Sequence, residues 1–214
     1  MEIIAAHNCI CQSCQKIFSV NRMMDSVIDL DKDIKYSESF EKFEINKVTC
    51  PKCKNSFTFE LPLLVCSKKC KFAAYVNSSP YPEKEFTSKE IPVWLISGYK
   101  SYRKCLYYAE IVEKFRIFRD GLDDKIIEYL KLCKFPDTDA LPFDEINLLY
   151  SHNDNINLYF DKIDFNNNII NTYAVSKSIM EDIKSRIVFA ENKNIWQMIN
   201  RLTIKDYILK GGYI

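Results

Sequence analysis

One eight-residue pattern occurs twice in this chain and constrains its fold more than any other feature. It reads CQSCQKIF from residue 11 and CPKCKNSF from residue 50, so both copies have the form C-x-x-C-x-x-x-F. In a C-x-x-C turn two sulfur atoms point to one side, and two such turns supply the four thiolates of a tetrahedral zinc site with bonds of about 2.3 Å. The repeat therefore predicts a zinc ribbon with a structural Zn²⁺. The predicted ligands are Cys11, Cys14, Cys50 and Cys53.

Two other interpretations of the paired cysteines remain open at this point. A redox-active C-x-x-C would occur once, at the start of a helix that follows a strand. Here both copies run into strand-like sequence, IFSV in one and SFTFEL in the other. Plain reduced thiols are the second alternative. The zinc interpretation accounts for the duplication, which neither alternative requires.

The two copies depart from a simple zinc finger in two ways. The residue after the second cysteine, often glycine in such turns, is Gln15 in one copy and Lys54 in the other. A left-handed conformation there would cost each of them about 1–2 kcal/mol. The long insertion between Cys14 and Cys50 must hold a substructure of its own. Within it FEKFEINKVTC predicts a strand returning to the second turn, and the preceding stretch predicts another strand or an edge loop.

The remaining cysteines give weaker signals. Cys66 and Cys70 could form half of a second metal site, but the only candidates for the other two ligands are Cys9 and His7. Because a zinc site needs four ligands, two thiols in a hairpin are the simpler interpretation. The last two cysteines fall on apolar faces of predicted helices and are expected to be small core residues. These are Cys105 and Cys133.

Composition excludes several classes of protein. The 214 residues are 47% hydrophobic and include only four glycines, too few for a phosphate-binding loop or a dinucleotide fingerprint. We therefore expect no nucleotide cofactor. The first residues lack the basic region of a signal peptide, and no apolar run reaches the 18 or so residues of a membrane span. A cytoplasmic protein without a membrane partner is expected, in which the nine cysteines stay reduced.

A short basic segment raises the possibility of nucleic-acid binding. Between Lys47 and Lys71 there are six lysines and one acid, Glu60, although the net charge of the chain is only +1. Lysines near a ribbon tip, with phenylalanines nearby, could meet phosphates and bases. However, a zinc ion with four thiolates carries a formal charge near −2, which part of this cluster could neutralise. The candidate contacts are Lys52, Lys54, Lys68 and Lys69.

The rest of the chain predicts an α+β region. Residues 1–78 form the predicted ribbon-like antiparallel β subdomain, 79–100 a linker with prolines and serines, and 101–214 the remainder. A helical hairpin is predicted over 101–134, and a small antiparallel sheet with C-terminal helices over 141–210. Gly121 is suited to the end of the first helix and Asp123 to the N-cap of the second. We interpret DGLDD as this capped junction rather than a calcium or magnesium loop, because the alternating ligands of an EF-hand are missing.

The segments that follow the helical hairpin predict three strands and two helices. FDEINLLY and NINLYFD flank the turn SHNDN as a hairpin, and NNNIINTYAV follows as a third strand. Ser178 and Glu181 predict a capping box before an amphipathic helix, and NIWQMINRL predicts a shorter helix.

The ordered motifs resemble the CpXC domain, a family named for its paired C-P-x-C motifs. The resemblance rests on CQSCQKIF, on TCPKCKNSFTFELPLL and on VEKFRIFRDGLDDKIIEYLK, and it covers residues 8–135. The first pair lacks the proline that gives the family its name. The resemblance implies a metal-binding domain and implies no activity.

These observations favour a structural zinc protein over an enzyme. The chain has two histidines, His7 and His152. His152 lies with Asp154 in a predicted hairpin turn, where Asn and Asp are expected for backbone reasons. A protein-interaction or scaffold module with an unknown protein partner is the leading hypothesis. A nucleic-acid-binding protein is the alternative, and an enzyme with an unrecognised site in the C-terminal region is the third.

Overall fold

The computed structural model describes residues 6–11, 13–21, 25–59, 61–76, 97–135, 147–164, 168–190, 196–201 and 203–210. The strands within them are β1 Ala6–Ile10, β2 Ile17–Asn21, β3 Val27–Asp29, β4 Lys47–Thr49, β5 Ser56–Thr58, β6 Leu63–Ser67, β7 Phe72–Val76, β8 Ser101–Cys105, β9 Asn147–Asn153, β10 Asn157–Ile163, β11 Ile169–Ser176, β12 Val188–Phe189 and β13 Ile208–Lys210. The helices are α1 Ile34–Glu41, α2 Tyr108–Arg119, α3 Asp124–Lys134 and α4 Lys177–Arg186, and a 3₁₀ turn covers Ile204–Tyr207. The chain is α+β, as the sequence predicts.

The N-terminal part combines two small hairpins with a larger mixed sheet. β1 pairs with β2 and β4 with β5, both antiparallel. The larger sheet has the order β3-β6-β7-β8, in which β6 and β7 form a hairpin while β3 and β8 run parallel to their neighbours. Parallel neighbours need a long crossover, and the insertion that contains α1 supplies one between β3 and β6. The predicted antiparallel region is therefore mixed at the edges of its main sheet.

A hydrophobic core lies between this mixed sheet and α1 and α2. Phe40 of α1 is fully buried and packs edge-on against Phe115 of α2, with ring centroids 6.0 Å apart. Burying an aromatic side chain of this size stabilises the fold by about 1.5–3 kcal/mol. The other buried members include Ile28, Leu63, Val65, Phe72, Ala74, Val76, Ile111 and Val112.

The C-terminal part is built on an antiparallel sheet of order β11-β10-β9. The hairpin around SHNDN and the third strand are confirmed. α3 and α4 pack on this sheet, and Ile183 and Ile187 of the predicted amphipathic face are buried. The sheet residues of this second core include Leu148, Tyr150, Leu158, Phe160 and Val175.

The turn between α2 and α3 is a capped helix junction. Gly121 has φ +70°, and its N–H donates to the Phe118 carbonyl at 3.1 Å while the N–H of Leu122 donates to the Ile117 carbonyl at 3.0 Å. This pair of bonds is the Schellman ending of a helix, in which glycine adopts the left-handed conformation at least cost. The Asp123 side chain then caps α3. The prediction for DGLDD is confirmed.

Seven ionisable side chains are buried around this junction, which is unusual because isolated charges are costly to remove from water. They come from β8, α2 and α3, and all of them except Glu110 are joined in a chain of ion pairs. The members are Arg103, Glu110, Glu113, Lys114, Asp124, Glu128 and Lys131.

One end of this network holds β8 to α3. The guanidinium of Arg103 donates two hydrogen bonds to the Asp124 carboxylate, from Nε at 2.6 Å and from Nη2 at 2.9 Å. Lys114 Nζ lies 2.5 Å from Glu128 and 3.6 Å from Asp124. Burial alone would raise the pKa of Asp124, but Arg103 and Lys114 outweigh it and lower that pKa. The carboxylate is therefore held in its charged form.

The other end of the network ties α2 to the C-terminal sheet. Lys131 Nζ donates to Glu113 at 2.8 Å and lies 2.9 Å from Glu128 Oε2, without hydrogen-bond geometry to that oxygen. The Glu113 carboxylate also accepts from the backbone N–H of Tyr150 in β9 at 2.6 Å. Removing one member would leave an uncompensated buried charge, which costs about 3–5 kcal/mol.

Glu110 is the acid that this network does not neutralise. Four acids face three bases, and Glu110 Oε1 is buried without a hydrogen-bond partner. Its Oε2 accepts from the backbone N–H of Leu106 at 2.7 Å. Burial raises the pKa of Glu110 to about 7, against the opposing charge of Lys114.

Three predicted details of secondary structure are wrong. Ser101–Cys105 is a strand, so Cys105 ends β8 instead of lying on a helix; its thiol still faces the first core, since it is 2% exposed. The helix that follows β11 is capped by Ser176. Ser178 lies inside its first turn, and Glu181 pairs with Lys184 at 2.6 Å.

The third error concerns the predicted helix NIWQMINRL. Its described residues 196–201 are not helical. Gln197 instead exchanges backbone hydrogen bonds with β8, donating to Tyr102 at 3.2 Å and accepting from Lys104 at 2.9 Å. Pairing with a strand distant in the chain overrides the local helical pattern.

The division into 1–78, 79–100 and 101–214 stays a prediction. Most of the predicted linker lies outside the described residues.

We predict that Glu110 makes folding depend on proton uptake. Because its pKa is raised from 4.5 to about 7 on folding, its contribution to stability is complete below pH 4.5 and is lost as the pH rises through 7. Relative to Glu110→Gln, the free energy of unfolding of the wild type should fall by roughly 3 kcal/mol between pH 4.5 and 8. Urea unfolding across this range measures the difference.

The exposed Glu181→Gln is the control and should leave the wild-type pH profile unchanged. Parallel profiles for the wild type and Glu110→Gln would contradict the prediction.

Candidate metal centre

Each C-x-x-C motif forms the end of one small hairpin. Cys11 and Cys14 follow β1, and Cys50 and Cys53 follow β4. In the first turn the N–H of Cys11 donates to the Lys16 carbonyl at 3.0 Å. In the second turn the N–H of Cys50 donates to the Asn55 carbonyl, which is the equivalent position, with a distance of 2.8 Å. We call these two turns, residues 11–16 and 50–55, the knuckles. Their shared bonding explains why the motif repeats with the same spacing.

The residue after the second cysteine is left-handed in both knuckles. Gln15 has φ 57° and Lys54 has φ 62°. In each case its N–H donates to the carbonyl of the first cysteine, Cys11 at 2.8 Å or Cys50 at 3.0 Å. The strained conformation closes the turn so that both sulfurs lie on one side. The conformation considered from the sequence is therefore present in both copies.

The two knuckles also contact each other away from the sulfurs. The Asn55 side-chain amide donates to the Ser13 hydroxyl at 2.8 Å. Phe18 and Phe57, which end the two copies of the motif, meet edge to face with centroids 6.4 Å apart and planes at 82°. Such pairs contribute about 0.5–1.5 kcal/mol beyond their buried area. The repeated phenylalanine thus joins the hairpins.

The four sulfur atoms converge on one point. All lie within 4.8 Å of one another. Two of the inter-knuckle distances are 3.5 Å, between Cys11 and Cys53, and 3.7 Å, between Cys14 and Cys50. A tetrahedron with metal–sulfur bonds of 2.3 Å has sulfur–sulfur edges of about 3.8 Å. The structure therefore brings the four predicted cysteines close enough to hold a metal ion.

The electrostatics of the cluster also suit a cation. The N–H groups of Cys53 and Lys52 lower the pKa of the Cys50 thiol to about 6, against the effect of burial. The N–H of Asn55 acts in the same direction on Cys53, but desolvation and the three neighbouring sulfurs outweigh it and raise that pKa to about 12. A second thiolate beside the first is unfavourable until a positive ion compensates it.

The structure places the four candidate lysines in two separate turns. Lys52 and Lys54 lie exposed in the second knuckle. Lys68 and Lys69 lie in the β6–β7 turn, where their backbone N–H groups donate to the Asp31 carboxylate at 2.6 and 3.0 Å. Asp31 is a structural residue of this turn that local sequence signals do not predict, because its partners lie far along the chain.

The other cysteines do not assemble a second cluster in the part of the chain that the structure describes. There, the four knuckle cysteines are the one group of three or more His, Cys, Asp or Glu residues placed to hold a metal. Cys66 lies buried in β6 with its thiol 3.6 Å from the Ile28 carbonyl, and burial raises its pKa. Cys70 lies in the turn that follows. This agrees with the hairpin interpretation; the side chain of His7 lies outside the described residues.

His152 and Asp154 take part in local structure. The His152 ring stacks on Tyr159, with centroids 4.5 Å apart. Asp154 accepts from the backbone N–H groups of Asn157 and Ile156, and its pKa is lowered to about 2 by the bond from Asn157, then by Tyr159 and Ile156. Its carboxylate is therefore engaged by the turn, the backbone role that the sequence indicates. An enzyme site in the C-terminal region stays a prediction.

We predict that glycine relieves the strain at the second knuckle. Lys54→Gly removes a left-handed conformation that costs about 1–2 kcal/mol, while the added freedom of the unfolded chain costs about 0.5–1 kcal/mol. The variant should gain roughly 0.5–1 kcal/mol in the free energy of unfolding, measured with denaturant. Lys52→Gly is the matched control, since Lys52 is not left-handed, and it should lose stability. Equal losses in both variants would contradict the assignment.

Comparison with known proteins agrees with this geometry. A family model described as CpXC protein matches residues 9–131, which include both knuckles and the whole buried charge network. A search of curated proteins and a search of solved structures each returned no match. Among helices of the described residues, none combines the length and apolar composition needed to cross a membrane. Because the match spans more than half of its 214 residues, the chain belongs to the CpXC family.

Proposed function

We propose that the four knuckle cysteines bind one structural zinc ion. The observation that carries this proposal is the convergence of four sulfurs at nearly tetrahedral spacing. Zinc and iron are the usual occupants of a tetrahedral site of four thiolates. Four protein ligands leave no open position for water or substrate, whereas a catalytic zinc keeps one. The ion therefore acts on structure, joining two hairpins whose cysteines are far apart in the sequence.

The role that fits such a site is a protein-interaction or scaffold module. The zinc holds two short hairpins that could bury little apolar surface by themselves. It leaves the knuckles at the surface, where Pro51, Lys52, Cys53 and Lys54 are exposed. A rigid exposed surface gives a partner protein a preorganised site at a low cost in conformational entropy.

The zinc proposal predicts a specific metal content. Elemental mass spectrometry of the purified protein should find one zinc per chain. Cys50→Ser should lose it together with most of the stability, since a structural zinc contributes on the order of 10 kcal/mol. Cys70→Ser is the matched control and should keep both. Visible absorption distinguishes iron from zinc.

Wild-type protein purified without chelator and free of metal would overturn this proposal. Two zinc ions per chain would instead bring Cys66 and Cys70 into a second site.

Nucleic-acid binding is the second candidate, supported by exposed lysines. Within the described residues, none of the four candidate lysines forms an ion pair, so their charges are available to phosphates. Retention on heparin or single-stranded DNA should fall as salt rises, and it should be lost when all four are changed to Glu. Lys32, Lys35, Lys42 and Lys205 changed to Glu form a control of equal charge. Equal retention of both variants would exclude the candidate lysines.

A further inference from the structure

The strand β11, at one edge of the C-terminal sheet, carries no charge. It is the longest of the described strands, with eight residues, and it ends the order β11-β10-β9. Its sequence, IINTYAVS, includes no charged residue and no proline. Natural sheets usually place lysine, proline or a bulge on an edge strand, because these prevent pairing with other strands. Here only a bulge is present, at the start of the strand, where Ile170 has no partner in β10.

The backbone of β11 alternates between residues that bond to β10 and residues that point away from it. In an antiparallel pair only every second residue exchanges hydrogen bonds with the neighbouring strand. The N–H of Lys177, just after β11, donates to the Ile156 carbonyl at 2.8 Å. With the observed register, Val175 therefore also bonds to β10, whereas the N–H and carbonyl groups of Thr172 and Ala174 point away from the sheet.

The two edges of this sheet differ in what covers them. On β9 the N–H of Tyr150 donates to the buried Glu113 carboxylate at 2.6 Å, and α2 packs against the strand. On β11 the N–H of Thr172 donates to the adjacent Asn171 side chain at 2.9 Å. Among the described residues, neither backbone group of Ala174 has a hydrogen-bond partner. The β11 edge therefore presents backbone donors and acceptors that an extended strand could satisfy.

We propose that β11 pairs antiparallel with β11 of a second copy of this chain, so that two three-stranded sheets become one sheet of six strands. This inference goes beyond the proposed function and is independent of the zinc ion. A two-fold axis brings the same surface of both copies together. The register that matches the outward groups along the strand places Thr172 opposite Ala174 of the second copy, with Tyr173 at the axis.

A second copy fits this edge because the strand is compatible with itself. Like charges directly opposite each other destabilise a strand pair, and β11 contributes none. It also offers no charge that would select an acidic or a basic partner strand. The side chains of Thr172 and Ala174 are small, so two backbones can approach to the usual strand spacing of about 4.8 Å. The isoleucines at its start, Ile169 and Ile170, are 62% and 55% exposed, and the end of the second strand would cover part of their surface.

The geometry of the sheet limits the assembly to two copies. Pairing consumes the β11 edge of each copy, and α2 and Glu113 cover the β9 edge, so further copies cannot add to the sheet. An eight-residue strand is about 26 Å long, and a single strand pair of that length buries less than the roughly 1,200 Å² of a standard interface. We therefore expect a dimer that dissociates on dilution.

The test is sedimentation equilibrium of the full chain between roughly 1 μM and 1 mM. The mass should rise with concentration from 25.2 kDa towards twice that value. Hydrogen exchange over the same range reports on the edge itself. Exchange at the Ala174 amide should slow at least about tenfold as the dimer forms, because its N–H gains an acceptor. The Val175 amide is the internal control, since it bonds to β10 in both states.

Variants at Ala174 complete the test. Ala174→Pro removes an outward donor without removing a bond to β10, which an edge strand tolerates, and it should keep the mass of one chain at every concentration. Ala174→Lys and Ala174→Glu should each weaken association several-fold, whereas an equal mixture of the two should associate more tightly than either alone. Ile34→Lys is the control, since Ile34 is 74% exposed on α1, and it should associate as the wild type does. Urea unfolding establishes that each variant is folded.

Every result supports or overturns the pairing. Wild-type protein that keeps the mass of one chain up to roughly 1 mM overturns it. Undiminished association of folded Ala174→Pro, or a Lys and Glu mixture that associates no better than its components, also overturns it. If Ala174→Pro does not fold, the mixture decides. Metal content measured on the same samples tests the zinc proposal separately, so either proposal can fail while the other holds.

Discussion

Compensation of buried charge on α2 is the constraint on which the arrangement of the two sheets depends. Glu113 and Lys114 lie on a helix that contacts both the mixed sheet and the C-terminal sheet, so their charges have no access to water. Each of these two charges therefore needs an opposite charge at a fixed position in the fold. Glu128 and Asp124 on α3 supply those positions for Lys114, and Arg103 brings β8 to the same point. The network therefore specifies which elements are neighbours, even where its net contribution to stability is small.

The cluster of four cysteines poses a different problem at the N-terminal end. Each knuckle hairpin has strands of three to five residues, and hairpins of this size are marginal in water. The edge-to-face pair of Phe18 and Phe57 and the bond from Asn55 to Ser13 orient them, but neither contact would offset the repulsion between four thiolates. A bound cation would remove that repulsion and stabilise the arrangement. The proposed zinc thus complements contacts that the protein supplies by itself.

The sequence predicted the candidate site better than the path of the chain. The cysteine spacing is a local signal, because each pair is brought together by its own turn, and the duplication indicated a common point. The same holds for Gly121 and Asp123, whose roles depend on the adjacent backbone. By contrast, Gln197 pairs with β8 although its neighbours have a helical pattern, and Asp31 holds a turn 37 residues away. Such partners are set by tertiary contacts, which local periodicity does not contain.

The sequence by itself determined the α+β class, the four cysteines, the helix junction and the three-stranded C-terminal sheet. Their signals are spacings of a few residues, imposed by turn and helix geometry. Only the tertiary structure decided that Ser101–Cys105 is a strand, that seven charged residues are buried around the junction of α2 and α3, and that Ile10 and Ile17 remain exposed. A charged side chain is normally predicted to face water and an isoleucine to face the core. Packing reverses the first expectation where α2 contacts both sheets, because charged side chains are buried there. It reverses the second in the β1–β2 hairpin, where the two isoleucines lie on a face that no core covers.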